Sequence, residues 1–133
     1  MRKLMIALVL TAVAAAACND TTSPTTTVPG NYLLQTVNGS GVPMVAYQSP
    51  TDKLEVLYGR VLLNADLSFV DSTLWRQTIG STASDTAEVY RGTYQASGDH
   101  ILLTVNDGST YSMTWQGRSL VYTDNSYSFV YKK

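Results

Sequence analysis

A chain of 133 residues is the length of one domain, and its 17 Thr, 13 Ser, 9 Gly and 9 Tyr favour strands and turns over helices. Its 9 Lys and Arg against 10 Asp and Glu give a formal charge of −1, too little positive charge to build a nucleic-acid surface or a polybasic membrane patch. A single Cys excludes an internal disulfide framework, and a single His withholds the usual side chain of metal and triad chemistry.

Met1, Arg2 and Lys3 make a short positive start, and residues 4–17 are apolar except for Thr11. This is the anatomy of a signal peptide. A spanning helix needs about 20 apolar residues, and here polar Asn19-Asp20-Thr21-Thr22 follows instead, so residues 1–17 are expected to be a removable leader. The run ends in Ala15-Ala16-Ala17-Cys18, which resembles the lipobox of bacterial lipoproteins. The resemblance implies that Cys18 is acylated and becomes the mature N-terminus, which would hold the protein on a membrane by its lipid, in the extracytoplasmic part of a bacterial cell envelope. The alternative is ordinary secretory cleavage near Ala17, with Cys18 left unmodified. Loss of the leader removes Arg2 and Lys3 and leaves 7 basic against 10 acidic side chains, a formal −3.

Residues 18–29 are expected to be a lipidated Cys and a tether. The stretch NDTTSPTTTVP, residues 19–29, holds five Thr and two Pro but only Val28 as a hydrophobic residue, so it reads as an extended spacer.

From Gly30 to Lys133 the pattern has period two. Tyr111, Met113 and Trp115 alternate with Thr110, Ser112 and Thr114; Leu120 and Tyr122 follow, then Tyr127, Phe129 and Tyr131. Earlier, Leu57, Val61 and Leu63 alternate with Tyr58, Arg60 and Leu62, and residues 69–77 carry Trp75 among polar neighbours. Turn-forming clusters separate these runs, among them Asn38-Gly39-Ser40-Gly41, Asn64-Ala65-Asp66, Ser97-Gly98-Asp99, Asn106-Asp107-Gly108 and Gln116-Gly117-Arg118. The spacing predicts eight or nine strands near 31–37, 42–48, 54–64, 67–78, 86–96, 100–106, 110–116, 118–124 and 126–132. Strands linked this tightly form an antiparallel up-and-down meander, and such a meander removes its edges by closing into a barrel. The alternative is a two-sheet β-sandwich, whose crossovers need longer connections; only residues 80–85 offer one.

Several of these residues resemble a group of small lipocalin-like bacterial lipoproteins of mostly unassigned function. The likeness rests on residues 30–39 (GNYLLQTVNG), Val42-Pro43, Asn64-Ala65-Asp66, Arg91-Gly92-Thr93-Tyr94 and Ser97-Gly98-Asp99, and spans about residues 30–133. It implies an all-β, lipocalin-like barrel. Lipocalins open on Gly-x-Trp near an Arg from the barrel's end; this chain has Gly30-Asn31-Tyr32 and Arg118.

Catalytic chemistry finds little support in the residues. His100 follows Asp99 and lies three residues after Ser97, but these belong to one tight turn, and no Gly-x-Ser-x-Gly elbow occurs. Asp52, Asp66, Asp99, Asp107 and Asp124 all stand in turn clusters, where Asp has a structural role. The charges expected on strands are Glu55, Arg60, Asp71, Arg76, Glu88 and Arg91. A pair such as Asp71 and Glu88 could act as acid and base, but cross-strand ion pairing on a solvated face is the simpler expectation. Neither a cofactor nor a metal is expected, and the chain is expected not to be an enzyme.

The aromatic residues are expected chiefly to fill the barrel. Tyr32, Tyr58, Trp75, Tyr94 and Trp115 are the candidates for lining a ligand site within it. The expected function is therefore a membrane-tethered, non-catalytic lipoprotein that binds a small apolar ligand or serves the envelope structurally. The alternative is an interaction module, such as an inhibitor of an envelope enzyme.

Overall fold

In a computed structural model, which describes residues 27–133, the chain is all-β. The predicted leader, Cys18 and the tether as far as residue 26 lie outside the described residues. Ten strands follow in order: β1 (Gly30–Val37), β2 (Ser40–Gly41), β3 (Met44–Gln48), β4 (Asp52–Leu63), β5 (Ser68–Ile79), β6 (Thr82–Ser97), β7 (His100–Val105), β8 (Thr110–Gln116), β9 (Ser119–Thr123) and β10 (Ser128–Lys132). From β4 to β10 each strand pairs antiparallel with the one before it, and β1 closes the ring by pairing with both β10 and β4. The result is an eight-stranded lipocalin-like barrel, as the turn spacing predicts. β2 and β3 are additional, forming a hook beside β1 and the first half of β4.

One expected feature is corrected. Residues 80–85 are not a long connection: Ile79 stands opposite Thr82, so Gly80-Ser81 is the whole turn and β6 begins at once. Gly80 supplies a φ of +60°, which a glycine adopts without steric cost. Beyond that turn Asp85 stands opposite Arg76, and the guanidinium meets both carboxylate oxygens at 2.7 and 2.9 Å.

The core lies at one end of the barrel. Tyr32, Val61, Leu63, Phe69, Tyr94, Ile101, Leu103, Met113 and Leu120 are buried there, each worth about 1.5–3 kcal/mol for a large aliphatic or aromatic side chain removed from water. That end carries the turns β4–β5, β6–β7 and β8–β9. Tyr32 is its keystone: the hydroxyl donates to the Val28 carbonyl (2.6 Å) and accepts from Trp115 Nε1 (3.1 Å). A cation also lies near its ring, but Lys133 supplies it, with Nζ 5.7 Å from the ring centre. The same ammonium donates to the carbonyls of Thr27 (2.8 Å) and Pro29 (2.6 Å), so residues 27–29 are strapped across the closed end.

Tyr32→Phe removes one hydroxyl and leaves a buried carbonyl and an indole N–H without their partner. The expected loss is about 1–3 kcal/mol, read as a lower urea midpoint with an unchanged slope.

Bulges set the phase of the inward face. Pairing shifts by one residue between Leu34 and Thr36, between Val45 and Tyr47, and between Val56 and Tyr58. Val56, Gly59, Val61 and Leu63 therefore point inward from β4, rather than an unbroken alternation that would include Leu57.

Candidate functional site

The half of the barrel opposite the packed end is open. A cavity of about 430 Å³ lies within it, with Asp71, Thr73, Tyr111 and Tyr131 deep inside. Trp75, Glu88, Tyr90, Ser109, Asp124 and Tyr127 stand nearer the mouth, where the turns β5–β6, β7–β8 and β9–β10 converge.

Period two explains who faces in. On β5, Phe69, Asp71, Thr73 and Trp75 share one face; on β6, Glu88 and Tyr90 stand opposite Thr73 and Asp71. The rings form a continuous wall: Phe69 to Tyr111 at 6.2 Å, Tyr111 to Tyr122 at 5.7 Å, and Tyr122 to Phe129 at 5.9 Å between centroids. The first two contacts are edge-on, the arrangement that aromatic quadrupoles prefer.

Asp71 is the buried charge of the site, only 8% exposed. The Tyr111 hydroxyl donates to its Oδ2 at 2.7 Å, and among the described residues no other protein donor reaches the carboxylate. Burial pushes the carboxyl up from its ordinary range to about 6; the Tyr111 hydrogen bond opposes this and the charge of Glu88 adds to it. Glu88 is bound in turn: Tyr90 donates its hydroxyl to Oε1, and Trp75 Nε1 donates to Oε2 at 3.3 Å. The bond to Glu88 pushes the Tyr90 phenol up to about 12, and burial beside Asp71 raises those of Tyr111 and Tyr131 further still.

The five predicted lining residues divide three ways. Trp75 lines the cavity. Tyr32, Tyr94 and Trp115 belong to the packed end, where Tyr94 donates its hydroxyl to the Asn64 carbonyl at 2.8 Å and Trp115 bonds Tyr32. Tyr58 stands on the outer face, 45% exposed, because it alternates with Gly59, Val61 and Leu63, which face inward.

The expectation of solvated cross-strand ion pairing holds for Arg76, which pairs with Asp85, but fails for Asp71, which is buried. Asp71 and Glu88 both face the lumen, and among the described residues neither has a basic partner. Sequence reasoning also passed over Tyr90, Tyr111, Tyr122 and Tyr127 as lining residues. For Tyr111 and Tyr127 the shared parity with Met113 and Phe129 was the available signal.

His100 is exposed on the outside at the closed end, far along the barrel from the cavity mouth. No cluster of three or more His, Cys, Asp or Glu side chains suited to a metal occurs among the described residues. Compared as a whole with family models, curated proteins and solved structures, the chain finds no match.

Proposed function

We propose that the protein is a lipid-anchored, non-catalytic binding protein of the bacterial cell envelope, which holds a small ligand in the open half of its barrel. The cavity carries this reading. At about 430 Å³ it falls within the range of small-molecule sites, which run to about 300–1,000 Å³. Eight strands make a lumen that side chains can fill or that can hold one ligand, and here the filling stops half-way. Asp71 is engaged by the Tyr111 hydroxyl, Glu88 by Tyr90 and Trp75, and no imidazole lines the cavity, an arrangement that supports binding over turnover.

The strap at residues 27–29 lies on the closed end. With acyl chains on Cys18, that end would face the bilayer and the mouth would face the aqueous compartment. The eight residues between Cys18 and Thr27 reach no more than about 30 Å when extended. Such an orientation suits a ligand drawn from solution.

A second reading rests on the outer wall. Leu33, Arg60, Ser72 and Val89 form one cross-strand row on that wall, with Tyr58 beside it; Leu33 is 37% exposed and Tyr58 and Val89 each 45%. Exposed apolar side chains set around an Arg in this way suit a protein partner in the envelope.

Native mass spectrometry of the protein extracted from its host membrane tests both. The expected result is a mass that includes acyl chains on Cys18 and a small molecule released on activation. A Cys18→Ser variant should leave the membrane fraction, since several chains at about 0.8 kcal/mol for each buried CH₂ no longer hold it. An empty lumen with a stoichiometric protein partner would favour the second reading. A variant that still sediments with membranes would overturn the anchor.

A further inference from the structure

The charges on the cavity wall all have one sign. Asp71 lies deep, Glu88 midway and Asp124 at the rim, and no Lys, Arg or His lines the space. Three of the described basic side chains are engaged elsewhere: Arg76 with Asp85, Lys53 with Glu55, Lys133 with the strap. Asp71 differs from the two exposed carboxylates in its burial. More than nine-tenths buried, it uses Oδ2 for the Tyr111 hydroxyl and leaves Oδ1 without a protein donor beside the cavity.

Three classes of ligand can be weighed against this wall. A neutral apolar molecule would gain from the rings but would strip water from a carboxylate without replacing its hydrogen bonds, a costly exchange. An anion would meet three carboxylates. An organic cation gains twice, from a charge-assisted bond to Asp71 and from a ring face of the aromatic wall that Trp75, Tyr111 and Tyr122 supply. We propose that the cavity binds an organic ammonium ion, whose nitrogen sits at Asp71 Oδ1 and whose apolar body lies along the aromatic wall. Glu88 and Asp124 attract the cation at the mouth, and Asp71 receives it. The proposal rests on the ligand-binding reading above and names the ligand's class.

The test uses three probes of similar shape and different charge: phenethylammonium, 2-phenylethanol and 3-phenylpropionate. Each is titrated calorimetrically at pH 7.5 into the full-length mature protein held in phosphatidylcholine nanodiscs. Phenethylammonium is expected to bind at least tenfold more tightly than the alcohol, and the carboxylate not measurably. Asp71→Asn is expected to abolish that preference while leaving the alcohol's affinity within about threefold, which a misfolded variant would not do. Glu88→Gln, at the more exposed position, should weaken the ammonium by only about threefold. Equal binding of alcohol and ammonium, or a preference that survives Asp71→Asn, would overturn the cation proposal and leave the ligand-binding reading standing. Failure of all three probes would overturn both.

Discussion

Asp71→Asn is expected to make the protein more stable at neutral pH, and the gain is expected to vanish in acid. The carboxyl titrates near 6 in the folded barrel against an ordinary value of 3.8. A raised carboxyl pKa means that the folded state holds its proton more tightly than the unfolded chain does. Stability contributed by this group is therefore greatest below about pH 4 and falls as pH rises through the interval between about 4 and 6. Above that interval the ionised, buried carboxylate costs the fold about 3 kcal/mol, at about 1.4 kcal/mol for each unit of pKa. The amide keeps an oxygen to accept from the Tyr111 hydroxyl and has no proton to lose. Urea unfolding of the two proteins should accordingly give matching midpoints near pH 3.5 and a variant more stable by about 2–3 kcal/mol at pH 7.5. A difference that is constant with pH, or a less stable variant at pH 7.5, would mean that Asp71 is not desolvated as the structure has it.

This sign bears on function. A residue that weakens the fold in its working ionisation state, where Asn would strengthen it, is doing something other than holding the barrel together. Its position at the inner end of an aromatic cavity supplies the alternative.

Gly92→Ala is expected to be the most damaging small substitution in the barrel. A Cβ at residue 92 would lie 1.9 Å from the Thr104 carbonyl oxygen and 3.0 Å from Phe69 Cε1. The first obstacle is backbone of the neighbouring strand, so no rotamer change relieves it; β6 and β7 would have to separate where Gly92 pairs with Val105. Overpacking commonly costs about 1–3 kcal/mol, and a clash against a ladder carbonyl should exceed that range. The comparison is Gly59→Ala, whose Cβ would meet the Leu34 side chain at 2.9 Å. Leu34 Cδ2 can rotate away and Leu34 Cβ, at 3.0 Å, has to give by only a few tenths of an ångström, so Gly59→Ala should cost clearly less. Thermal unfolding of the two variants, expressed side by side, gives the order; equal stabilities would show that β6 and β7 yield at this point.

Part of the cavity wall, Asp71, Thr73 and Trp75, could be read from residues 69–75 before any fold was known. Asp71 lies two residues after Phe69 and four before Trp75, so a strand that turns those rings inward turns Asp71 inward with them. Assigning it to a solvated face gave the charge more weight than the periodicity. Glu88 and Tyr90 were harder. Ten consecutive residues of β6, 82–91, are exposed, and their alternation of polar and small residues carries no strong signal.

Hydrophobic alternation and turn chemistry were enough to define the barrel, because both act over two to four residues and a meander consists of little else. Val37, Leu63, Phe69, Met113 and Leu120 could be assigned to the interior on that local pattern alone. Three matters awaited the closed ring. The bulges at β1, β3 and β4 reset which side chains face inward, and in β4 put Val56 inside in place of Leu57. The stagger of the strands put Tyr32, Tyr94 and Trp115 at the packed end but Trp75, Tyr111 and Tyr122 around open space. The burial of Asp71 depends on β5, β6, β8 and β10 meeting around it, residues up to 60 positions apart. A carboxylate's solvation is set by whatever surrounds it in space, and no short stretch of chain encodes that.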